Sequence, residues 1–196
     1  MEVSSAQWYT TAASLVIVAV LGSIMFGLPW LDQAVSGSRR LDSGTIYVIG
    51  GGIEVRTPSG AYLNAGNSRS GTDNGTVVFT VHGNGLRYAI AVTQYTGALD
   101  AADRRMRRRL EEKRGIRVAE AREPIRTTSG VDGYQGTYLT DVGQHSTAAR
   151  SGRYAVFRFD RSRVVEAYAV GQVNLMDLDA NVVEATFKSF TSERAR

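Results

Sequence analysis

"TVVFTVHGNGLRYAIAVTQY", residues 76–95, decides how the chain folds. Two runs rich in β-branched and aromatic residues flank Gly83-Asn84-Gly85, a composition that predicts a tight hairpin turn. In the second run Leu86, Tyr88, Ile90 and Val92 recur at every other position, so they share one face of a strand. A short turn between two strands makes them antiparallel, because a parallel pair would need a long crossover.

Upstream, "TIYVIGGGIEVRTP" (45–58) reads as another hairpin, turning through Gly50, Gly51 and Gly52. The triple glycine is not a phosphate loop: no Gly-Lys-Ser/Thr follows it and no helix pattern begins there. Between the hairpins, "SGAYLNAGNSRSGTDNG" (59–75) has the Gly, Ser and Asn content of a long loop. Downstream, a helix is expected over about 98–113, ended by Gly115 as a left-handed cap. "IRVAEAREPIRTT" reads as a strand in which Pro124 marks an edge or a bend. "DGYQGTYLTDV" is a further strand and "GQHSTAARSG" a loop. "RYAVFRFD" and "RVVEAYAVGQ" form a last hairpin through Arg161 and Ser162. An amphipathic helix within 175–191 follows, with Leu178, Val182, Val183, Phe187 and Phe190 as its buried stripe. Asn181 and Glu184 have capping-box spacing, so this helix is expected to start late. The order implies an α+β domain, an antiparallel sheet with two packed helices.

Ahead of this domain, residues 3–31 carry no charge and contain "AASLVIVAVLGSIMFGLPW". About 20 helical residues cross a bilayer core, so one N-terminal transmembrane helix is expected, with Trp8, Tyr9 and Trp30 near the interfaces. A cleaved signal peptide is the competing reading. It is disfavoured because the segment before the apolar run has no lysine or arginine and the run is long. The chain then divides into an anchor and flank (1–36), a polar linker (37–43) and the α+β domain (44–196). Arg39 and Arg40, the basic residues nearest the span, favour a single-pass plasma-membrane protein with its domain in the cytoplasm. The opposite orientation stays open.

The sequence holds 23 basic and 19 acidic residues, a net charge of +4. The excess is local. "DRRMRRRLEEKRGIR" (103–117) contains seven arginines and a lysine, and the remainder of the chain is slightly acidic. On a helical wheel Leu99, Ala102, Met106 and Leu110 form one stripe, with Arg104, Arg105 and Arg108 opposite. Asp100–Arg104, Asp103–Arg107 and Arg108–Glu112 are i,i+4 neighbours, whereas Arg105, Arg109 and Lys113 line up as like charges. Removing Arg105 and Arg109 is therefore expected to cost the fold little. The plainest reading of these arginines is a solvated helix face. The functional reading makes Arg104, Arg105, Arg108, Arg109, Lys113 and Arg114 a surface for an acidic partner in a membrane protein complex, or for anionic lipid headgroups. Nucleic acid is the weakest candidate partner, since no stacking aromatics interleave with these arginines.

There are no cysteines, and His82 and His145 have no ligand at metal-binding spacing, so no metal and no cofactor is expected. No serine sits in a Gly-x-Ser-x-Gly elbow. A binding protein is favoured over an enzyme, with a scattered active site in the sheet cleft as the alternative.

The opening hairpin "IYVIGGGIEVRTP", the sheet, the mid-chain helix and the ending "RVVEAYAVGQVNLMDLDANVVEATFKSF" together resemble the Mog1/PsbP-like fold, including actinobacterial LpqN-type proteins. The likeness covers about residues 44–191. It implies a binding or accessory module, with no shared catalytic residues. LpqN-type members usually carry a lipid-modified cysteine, which is absent here. An anchor followed by such a domain is similar to the trehalose monomycolate transport factors, which implies an accessory subunit of a cell-envelope or transport complex.

Overall fold

The computed structural model describes residues 37–83, 85–113, 115–140 and 150–192. The expected membrane span, Arg114 and His145 lie outside them. Among the described residues no helix is long and apolar enough to cross a membrane.

The strands are β1 (Ser38–Arg40), β2 (Ile46–Gly50), β3 (Ile53–Arg56), β4 (Ala61–Asn64), β5 (Arg69–Ser70), β6 (Gly75–Val81), β7 (Leu86–Gln94), β8 (Ile116–Arg126), β9 (Asp132–Thr140), β10 (Arg150–Arg158), β11 (Arg163–Gln172) and β12 (Thr191–Ser192). The helices are α1 (Leu99–Glu111), α2 (Val173–Leu178) and α3 (Ala180–Lys188). The long sheet runs β1-β4-β6-β7-β11-β10-β9-β8, with β5 also on β6, and β12-β3-β2 form a small second sheet. Every strand pairing is antiparallel, and α+β is the fold class, as expected.

Period-2 alternation explains the long sheet. On β7, Leu86, Tyr88, Ile90 and Val92 are buried on one face. With Val77, Phe79, Phe157, Val165 and Ala167 they meet the small sheet and Val183, Phe187 and Phe190, an apolar core. The opposite face is covered in part by α1, whose Ala102, Met106 and Leu110 pack on Tyr138, Tyr154, Val156 and Val164. Two glycines make room for these rings. A Cβ on Gly136 would stand 2.6 Å from the Tyr154 ring, and one on Gly152 would stand 2.1 Å from the Tyr138 ring.

Several expectations hold in detail. Of the stripe on α1, Ala102, Met106 and Leu110 are buried and Leu99 is half-buried; Gly115 has φ +78°, and Pro124 lies on β8, the edge strand. Others need correction. The polar segment 37–43 is not a free linker: Ser38–Arg40 pairs with β4, and Leu41 is buried. The stretch 59–75 is not one loop. Ala61–Asn64 is a four-residue strand hidden between Gly- and Asn-rich neighbours; its Ala61–Leu63 extends the sheet from β6 and satisfies backbone groups that would otherwise stay open. The last helix is two, broken at Asp179: Val173–Leu178 comes earlier than expected, and Ala180–Lys188 starts late, one residue from Asn181. α2 buries Met176, and α3 buries Val183 and Phe187 at i,i+4 spacing; Phe190, just past α3, is buried as expected. Leu178 and Val182 fall on the other side, and Leu178 is 78% exposed.

Candidate functional site

The arginines of α1 do not share one role. Glu166 of β11 points to the α1 face of the sheet, where Val164, Tyr168 and Val170 are its same-face neighbours. Its side chain is only 5% exposed, so its charge needs partners. Arg105 supplies one at 2.9 Å and Arg109 a second, each taking a different carboxylate oxygen. The two arginines lie one helical turn apart, which lets one carboxylate bind both. Arg105 also stacks over the Tyr95 ring, 4.1 Å from its centroid. It is therefore half-buried rather than solvated, and the expected like-charge row is instead a clamp on a buried anion.

The other charges of α1 are also redistributed. Asp103, 1% exposed, and Asp100 bind Arg122 of β8 at 2.8 and 2.7 Å, rather than Arg107 and Arg104. Arg107 donates to the backbone oxygens of Ala119 and Glu120. Arg122 lies 4.1 Å over the Tyr134 ring, tying α1 to β8 and β9. Beside Asp103, burial together with that carboxylate pushes the Tyr154 hydroxyl up to about 12. Arg104 and Arg108 are exposed, as expected, and Arg108 meets Glu112 at 3.9 Å.

Lys113 has a different setting, 5.6 Å over the Tyr168 ring at the C-terminal end of α1. There α1 stops short of β6 and β7 and leaves a cleft of about 600 Å³. Its floor is a row across three strands, Val78–Ala89–Tyr168, continued by Val170. Leu110 and Ile116 form the wall beneath α1. Arg87 of β7 and Lys113 stand in the lining as exposed cations. Burial, and next the Glu166 charge, raise the Tyr168 hydroxyl above its ordinary value, while Arg109 and Arg87 pull against them. Among the described residues no cluster of three or more His, Asp or Glu could hold a metal. His82 is exposed and packs its ring on Tyr62.

Of the residues expected at a partner surface, Arg104 and Arg108 face outward, Arg105 and Arg109 meet at Glu166, and Lys113 lines the cleft. Glu166, Arg122 and Arg87 were missed. A readable signal existed for Glu166: an acid in the middle of "RVVEAYAV", at a position whose alternating neighbours are all apolar or aromatic.

Scans against protein families and against curated proteins return no match. Among solved structures, the cyanobacterial PsbP of Synechocystis sp. PCC 6803 is similar with a TM-score of 0.50 at 15% identity, over 81% of this chain and 94% of that one. The Saccharomyces cerevisiae Ran-binding protein Mog1p gives a TM-score of 0.48 at 9% identity, over 80% and 96%. Identity this low speaks for the fold and not for a shared activity. The domain has a PsbP-like fold, the part of the resemblance that this likeness carries.

Proposed function

We propose that the chain is a single-pass membrane protein whose Mog1/PsbP-like domain binds without catalysing, as an accessory subunit of a cell-envelope or membrane transport complex. The observation that carries the binding reading is the cleft beside α1: an apolar floor, two cations in its lining and a volume in the range of ligand sites. The uncharged run 3–31 supports the anchor, and Arg39 and Arg40 support a cytoplasmic domain. The outward Arg104 and Arg108 offer a second, smaller contact for an acidic protein surface.

Purification of the full chain from membranes in mild detergent tests this. A subunit brings stoichiometric partners with it, and changing Arg104→Ala with Arg108→Ala weakens their recovery. Recovery of the chain alone at every detergent strength would overturn the accessory-subunit reading. Intact mass of the extracted protein reports whether the segment before Gly37 is retained.

A further inference from the structure

We infer that the cleft beside α1 is a site for a single-chain anionic amphiphile, a long-chain carboxylate or its phosphate counterpart, taken up one molecule at a time. This rests on the binding reading above and names its ligand class.

Three observations carry it. On the floor row Val78–Ala89–Tyr168, Ala89 and Tyr168 stay partly uncovered by the adjacent α1, as does Val170 beyond them, while Leu110 forms the wall. An acyl chain laid on that row would remove apolar surface from water on both sides, the main source of affinity for such a ligand. The head would meet Arg87 and Lys113. Neither has a carboxylate partner among the described residues, whereas Arg105, Arg109 and Arg122 of the same face are all paired with acids. Cations without acid partners beside an apolar floor select a ligand with a chain and a negative end. Finally, the acid of this face, Glu166, is covered by Arg105 and Arg109, so its charge is neutralised before it can repel an anion.

The test uses the full chain in phosphatidylcholine nanodiscs with a diazirine-bearing hexadecanoate as probe, and maps the crosslinked residues by mass spectrometry. Labelling is expected on the segments holding Val78, Ala89, Leu110 and Val170, with competition by hexadecanoate and none by hexadecanol or butyrate. Arg87→Gln with Lys113→Gln should lower cleft labelling about tenfold, the weight of one to two charge-assisted contacts. Arg56→Gln with Arg161→Gln removes the same charge outside the cleft and should leave labelling unchanged. Ala89→Trp fills the floor and should abolish it, with the unfolding midpoint of each variant reporting its fold. Equal labelling of the Arg87/Lys113 variant, competition by hexadecanol as strong as by hexadecanoate, or domain labelling confined to other segments would overturn the proposal. Cleft labelling with no co-purifying partner would unseat the accessory-subunit reading alone.

Discussion

Beneath α2, α3 and the small sheet, the long sheet buries Val77, Phe79, Ile90, Phe157 and Val165, an almost wholly apolar set. Beneath α1 the same strands present Tyr138, Tyr154 and Tyr168, with Glu166 buried among them. The first face is closed by side chains that need only volume and shape. The second is held by charges that must each find a partner, and it stops at a cleft. Shape-filling cores give stability in proportion to area. A buried ion pair gives little net stability and loses much when half of it is removed. The apolar face thus carries the stability of the domain, and the α1 face carries its specificity.

The largest expected loss tests the apolar face. Phe187→Ala leaves a cavity under the small sheet and should cost about 3–5 kcal/mol, read from denaturant midpoints. If Met106→Ala on the other face costs more, the division of labour is wrong. Next, Arg105→Ala with Arg109→Ala strands the Glu166 carboxylate and should cost about 2 kcal/mol. That is below the range for fully buried pairs because Arg109 is half exposed. Adding Glu166→Gln should recover part of it. No loss in the double variant would restore the reading of these arginines as a wet surface.

A smaller effect concerns the turn between β10 and β11, which sets the register that puts Glu166 on the α1 face. Burial raises Asp160, but Arg163 and the Ser162 backbone and hydroxyl donors outweigh it and hold the carboxyl at about 2. A lowered folded value contributes stability above the ordinary carboxylate range and loses it as pH falls towards 2. Acid unfolding followed by circular dichroism from pH 4 to 2 should be shallower in Asp160→Asn, and the variant should be less stable at neutral pH. Smallest of all, Arg104→Ala with Arg108→Ala should stay within about 0.5 kcal/mol, since exposed charges contribute little.

What could be read in the sequence follows the same divide. Alternation along β7 and β11 exposed the strands, and the α1 stripe exposed the helix, because apolar burial is written in spacing. The short β4 was hidden because four residues among glycines and asparagines carry no period. The Leu178 and Val182 stripe was misread because apolar type alone does not say which helical face is covered. The charges of α1 were misread for another reason. Local i,i+4 pairing can be seen in sequence, but Asp103 and Asp100 chose Arg122, and Arg105 and Arg109 chose Glu166 on a distant strand. Competition between near and far partners is settled by burial. The cleft was equally invisible: it forms where α1 ends short of β6 and β7.

The closing of the small sheet bears on how the chain is made. β12 pairs with β3, and the backbone N–H of Arg56 donates to the Ser189 hydroxyl across 133 residues. The β2–β3 hairpin is among the first parts of the domain to leave the ribosome, yet its third strand is among the last. Ile53 and Val55, fully buried in the folded domain, lack the cover of α3 until then. During synthesis this hairpin is the segment most open to wrong pairing or to a chaperone, and release of residues 189–192 is the step that ends its exposure.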